Sequence, residues 1–244
     1  MSAKVSITEH KITVSSDTGL QTLSLRELTT ELVDWMNSGR KDVYKRLLNN
    51  TPVRFFEAHL PVLVTQQPGS FGFNCANKGV GFLPKHEYLD EYINLFQETI
   101  DNTRNKPIQE SLKERIKAVS DFYFKPEKMD TRLLTSLEIF EKRTYNNIVN
   151  NPLVSLHYTG ALPDYTSFQL NCAVEIVGPE DPRYTFIKLA RVMFEFDDFH
   201  ITQRQFPHAY LFWISEVLNK TPFPVAARED VAEETKSGAE YSWS

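Results

Sequence analysis

The sequence predicts an α+β fold, an antiparallel sheet joined by helices that come before it and between its strands. Three observations predict it. Polar and apolar residues alternate from Lys4 to Ser15 and again from Phe168 to Val177, and a period of two marks a half-buried antiparallel strand. Turn residues separate short apolar runs between Pro61 and Leu83, which suits a meander. Apolar residues at helical spacing run through Leu89, Tyr92, Ile93, Phe96 and Ile100, and through Ile108, Leu112, Ile116, Val119 and Tyr123.

Taken in order, Val5, Ile7, Ile12 and Val14 predict two short strands or a hairpin, with a turn at Asp17-Thr18-Gly19. Ser24 and Glu27 form a capping-box pattern that predicts a helix through Leu28, Leu32 and Trp35, closed by Gly39. A second helix is expected from about Lys41 to Asn49. Pro61 to Gln67 and Phe71 to Ala76 predict paired strands around a Pro68-Gly69 turn, with a tight turn at Asn77-Lys78-Gly79 and a third strand at Val80 to Leu83. Helices at 86–102 and 107–124 form a hairpin. A short strand ends in Thr135-Ser136, and a helix follows from about Glu141 to Asn150. Leu153 to Thr159 and Phe168 to Val177 are strands. Asp181-Pro182 opens a helix, as cap and first-turn proline. Val192 to Thr202 reads as a last strand interrupted at Asp197-Asp198, and Tyr210 to Leu218 as an aromatic helix. The organisation expected is one domain over 1–225, with 1–58 an N-terminal extension, 85–126 a helical insertion and 226–244 a mobile tail.

Composition narrows the function classes. The chain has 244 residues, enough for a sizeable core. Its net charge of −5 leaves no basic surplus, so nucleic acid is not expected as a partner. No apolar run approaches the roughly 18 residues of a membrane span, and residues 1–11 show no signal-peptide core. The two cysteines, Cys75 and Cys172, are not in a CxxC pattern. Two free, buried thiols in a reducing cytoplasm are expected. The six histidines show neither HxH nor HExxH spacing, so no metal site is predicted.

Chemistry concentrates between Thr131 and Val177. Thr135 and Ser136 offer hydroxyls at a strand end, and Lys142 and Arg143 stand at a helix start, where free amides and the helix dipole favour an anion. Arginine grips phosphate bidentately and lysine acts as a point charge. From spacing alone the better reading is a solvated Lys-Arg pair with Glu138 and Glu141 as local partners.

A resemblance shifts that balance. Thr135-Ser136, Lys142-Arg143, Asn151-Pro152, the strands Leu153 to Tyr158 and Phe168 to Val177, and Glu180-Asp181-Pro182 together resemble the pyridoxamine 5'-phosphate oxidase-like family of FMN-binding split barrels. The resemblance covers about half the chain. It implies an antiparallel split β-barrel, here with N-terminal helices and an inserted helical hairpin. It also implies a homodimer with FMN in a cleft between subunits and a small-molecule substrate. By the same resemblance Lys142 and Arg143 would contact the FMN phosphate, and Thr135 and Ser136 would lie near the phosphate or flavin. The flavin would carry the oxidoreductase chemistry, so no catalytic side chain is named. The family's basic second-strand motif is missing: Phe71 to Ala76 is uncharged, and only Lys78 lies close. A non-enzymatic ligand-binding or protein-interaction member with an altered or lost flavin site is the competing expectation. Haem or another tetrapyrrole stays open as a third ligand.

Overall fold

The computed structural model describes residues 4–16, 19–53, 56–160, 165–195 and 205–222. Strands β1 (Lys4–Ile7), β2 (Lys11–Ser16) and β3 (Gly19–Ser24) form a small antiparallel sheet. Helix α1 (Thr30–Leu48) follows, then strands β4 (Val62–Gln66) and β5 (Phe73–Asn77). Helices α2 (Leu89–Thr103) and α3 (Ile108–Tyr123) separate β5 from β6 (Leu133–Glu138). The chain continues through α4 (Arg143–Asn150), β7 (Leu153–Thr159), β8 (Ser167–Val177), α5 (Pro182–Val192) and β9 (His208–Asn219). The main sheet is antiparallel, in the order β5-β4-β7-β8-β9-β6. The fold is α+β with a curled antiparallel barrel sheet, as the sequence predicts.

The curl closes through the segment leaving β5. Lys78 N donates to Pro61 O at 3.2 Å and Val80 N to His59 O at 2.8 Å, extending the β4–β5 pairing. One residue on, Gly81 exchanges backbone hydrogen bonds of 2.9 and 2.8 Å with Thr135 of β6. One sheet edge is thereby tied to the other. A Cβ at Gly81 would lie 3.1 Å from the Tyr123 hydroxyl, so a larger residue there would press on α3.

Several elements differ from expectation. Tyr210 to Leu218 is not a helix but most of β9, paired with β6 on one side and β8 on the other. Residues Ala209 to Ile214 are all buried. A strand covered on both faces loses its alternation and reads as one apolar run, which periodicity cannot separate from a buried helix. Ser24 does not cap a helix; it ends β3 and pairs with Lys11. The cap is Thr29, whose Oγ1 accepts from Leu32 N at 3.4 Å. Gly39 does not close α1, and the two helices expected are one. A Cβ at Gly39 would come within 3.2 Å of Ala58 Cβ, so close packing on the 56–58 segment explains the glycine. Val192 ends α5 rather than starting a strand. Of the 80–83 strand only the Gly81 bridge forms. Asp197-Asp198 and the 226–244 tail lie outside the described residues.

One hydrophobic cluster runs through these elements. It links Ile12 and Val14 of β2, Leu32 and Met36 of α1, the barrel interior, and a ring cluster of Phe96, Phe122 and Phe186 from α2, α3 and α5, in which Phe96 stacks on Phe186 and Phe122 meets both edge-on. Cys172 is buried, and burial pushes its thiol pKa up. Cys75 is exposed instead of buried: on the edge strand β5 every second side chain faces outward.

Candidate functional site

Thr135 and Ser136 lie within β6 rather than at its end, and both are 3% exposed. Neighbouring strand residues point to opposite faces, so the two hydroxyls do not converge. The Thr135 hydroxyl donates to Gly81 O at 3.2 Å, and that of Ser136 to Leu137 O at 3.5 Å. Lys142 and Arg143 stand at the start of α4 and are exposed. The Lys142 ammonium sits 5.3 Å from the centre of the exposed Phe140 ring. The structure therefore brings Lys142 and Arg143 together at the surface and keeps the two hydroxyls inside the barrel wall.

Between these pairs lies a group that the sequence reading treated only as a local partner. Glu138, 2% exposed, ends β6. Its carboxylate accepts from Lys78 Nζ at 2.6 Å, the Tyr210 hydroxyl at 2.6 Å, Phe140 N at 2.8 Å and Glu141 N at 2.9 Å. The turn that supplies the amides is tight enough to hold Glu141 at φ 44°, a left-handed conformation uncommon for a non-glycine residue. Barrel closure delivers Lys78 from the far end of the sheet, and β9 delivers Tyr210 from next door. Burial alone would raise the Glu138 pKa. Hydrogen bonds from Lys78 and Tyr210, the Lys78 charge and the Phe140 amide outweigh it and hold the carboxyl down at about 2. Tyr210 is pushed the other way, by burial first and then by the carboxylate it donates to.

A second layer adjoins this cluster. His208 stacks on Tyr145 with ring centres 5.3 Å apart and planes 3° apart. Its Nε2 lies 3.0 Å from Glu141 Oε1 and 3.3 Å from the Tyr145 hydroxyl. Sequence reasoning missed Lys78, Glu138, Tyr145, His208 and Tyr210 as a unit. Two signals were present: a lone acid inside the apolar run LLTSLEI, and a single lysine after an uncharged strand.

This cluster is a complete oxyanion cradle, with one ammonium, one phenol and two backbone amides around two carboxylate oxygens. Its occupant is the chain's own side chain. An FMN phosphate at the β6–α4 turn would have to displace Glu138 or rely on the exposed Lys142 and Arg143 alone. With Glu138 in place, the cradle itself does not fit an FMN phosphate.

The barrel's outer face offers another concavity, of about 270 Å³, lined by Val64, Gln66, Phe73, Leu153, Ser155 and Asn171 among others. A polar ladder crosses it. Ser155 and Gln169 donate to Asn171 Oδ1 at 2.7 and 3.0 Å, and Asn171 Nδ2 donates to Glu216 at 2.6 Å.

No protein-family model and no curated protein sequence matches the chain. Among solved structures it is similar to HupZ of Group A Streptococcus, at 12% identity and a TM-score of 0.38, over 74% of this chain and 93% of that one. An F420 reductase matches at 15% identity and 0.37, over 65% and 88%. A candidate pyridoxamine 5'-phosphate oxidase from Lactobacillus delbrueckii matches at 15% identity and 0.37, over 79% and 93%. All three are split barrels. Likeness at this level says nothing about activity. No helix among the described residues is long and apolar enough to cross a membrane.

Proposed function

We propose that this chain is a non-enzymatic binding member of the pyridoxamine 5'-phosphate oxidase-like split barrels, a homodimer whose flavin site has been altered. The observation that carries the reading is Glu138, which fills the four-donor cradle at the β6–α4 turn from within. A carboxylate in that position opposes an incoming phosphate by charge and occupies its hydrogen-bond donors. Ligand binding then shifts to the outer-face concavity, where Asn171, Ser155 and Glu216 supply donors and acceptors beside the apolar Val64, Phe73 and Leu153. That lining suits a small, uncharged molecule with one apolar side.

The test is spectroscopic. The purified protein is expected to be colourless and to give no saturable quenching of FMN fluorescence on titration. A protein isolated with stoichiometric flavin, or one that takes up added FMN, overturns this reading.

A second reading keeps FMN and the oxidoreductase-like role. It is favoured by Lys142 and Arg143, exposed at the first turn of α4 beside Phe140. On that reading the double variant Lys142→Ala, Arg143→Ala loses most of its FMN affinity, whereas a flavin bound unchanged by the variant removes both residues from the site.

A further inference from the structure

We propose that Arg40 anchors an internal site for a small, hydroxyl-bearing oxyanion of the hydrogencarbonate or hydrogen phosphate kind, seated between α1, α3 and β7. Arg40 is 2% exposed. Both of its terminal nitrogens, Nη1 and Nη2, are buried without a hydrogen-bond partner. Rings surround it instead: its guanidinium carbon lies 4.8 Å from the centre of Phe82, 4.7 Å from that of Tyr123 and 6.0 Å from that of Phe56. Ring faces attract a cation but give no lone pair to an N–H group. No described carboxylate forms an ion pair with Arg40.

Two further orphans accompany it. Asn37 Oδ1 is buried and unbonded three residues earlier on α1, and the Tyr158 hydroxyl is buried and unbonded on β7. Among the described residues these four atoms are all the buried, unpartnered side-chain polar atoms there are. They belong to three residues of one region: Asn37 and Arg40 lie about one turn apart on α1, and the Tyr158 ring packs edge-on against Trp35 of the same helix with ring centres 5.9 Å apart. Arg40 also acts electrostatically on Tyr158, Tyr44 and Tyr123. Those three phenols are held neutral, because burial raises their pKa against the pull of Arg40. Among the described residues the arginine therefore has no counter-charge. Burying a cation whose donors are unbonded is heavily unfavourable, and an always-protonated guanidinium cannot escape by losing its proton.

The orphan set describes its ligand. Two guanidinium N–H groups call for acceptor oxygens, and a bidentate oxyanion supplies them. Asn37 Oδ1 calls for a donor, which a bare carboxylate or chloride lacks and a protonated oxyanion carries as its O–H. Tyr158 can serve either way. This site is separate from the Glu138 cradle and independent of the function proposed above.

Thermal unfolding of the full chain tests it, in a buffer free of oxyanions and held at constant ionic strength with chloride. Sodium hydrogencarbonate and sodium phosphate are added in separate series. One of them is expected to raise the wild-type midpoint saturably, by about 5 °C or more at a hundredfold excess over Kd. The series that works identifies which anion is preferred. Arg40→Met, close in length and uncharged, is expected to lose the response, while Lys142→Ala, Arg143→Ala keeps it. Tyr158→Phe removes one hydroxyl and is expected to weaken the response severalfold, which keeps the test open should Arg40→Met not fold. A wild-type midpoint that follows chloride alone overturns the proposal and leaves internal water as the partner of these groups. An undiminished response in Arg40→Met overturns it equally.

Discussion

At Glu138 burial and hydrogen bonding act in opposite directions on one carboxyl group, and hydrogen bonding wins. A carboxyl held down at about 2 against an ordinary 4.5 stabilises the fold above the ordinary value. That stability, about 3 kcal/mol, is lost as pH falls from 4.5 through 2. Urea unfolding followed across that range is expected to show the loss. Glu138→Gln removes this acid dependence and strands the Lys78 ammonium, whose side chain is only 14% exposed. Breaking a buried pair from one side costs about 3–5 kcal/mol, and a neutral pH melt should report it. Glu138→Ala leaves an ammonium, a phenol and two amides without their acceptor. Formate is expected to raise the midpoint of that variant more than it raises the wild type's. Equal gains would mean that the four donors do not form an anion site.

At the scale of elements, the same chemistry decides which segments were legible. Asp181 caps α5, accepting from Arg183 N at 2.8 Å, with Pro182 in the first turn. That cap is written locally, so the sequence predicts it correctly. Asp181→Ala is expected to cost about 1 kcal/mol from the cap, read as a lower denaturation midpoint. Strand β9 shows the opposite case. Its identity depends on β6 and β8 lying on either side of it, which no local pattern announces. Phe212, fully buried at its centre, makes the strand assignment testable through packing. Phe212→Ala is expected to cost about 3–5 kcal/mol, a far larger loss than for a half-solvated aromatic helix.

The whole molecule is a sheet closed on itself with an antiparallel helical pair, α2 and α3, placed between two of its strands in sequence. Closure brings Lys78 to Glu138 across 60 residues of chain. The same closure keeps Thr135 inside the wall, bonded to Gly81. Light scattering on the purified protein is expected to give twice the 28.2 kDa chain mass. A monomer at micromolar concentration would remove the homodimer from the proposed function.

By itself the sequence determined what short-range physics determines: the alternating strands β2, β7 and β8, the stripes of α2 and α3, the capped start of α5, and Lys142 and Arg143 at the head of α4. Period, cap and charge act within a few residues of chain, and those signals are written there. Tertiary structure alone decided that Tyr210 to Leu218 is a central strand, that the Thr135 and Ser136 hydroxyls face apart, and that a glutamate fills the anion cradle. Each of these depends on a neighbour brought from far along the chain. A buried carboxylate is stable only where its donors converge, and it is barrel closure that makes them converge.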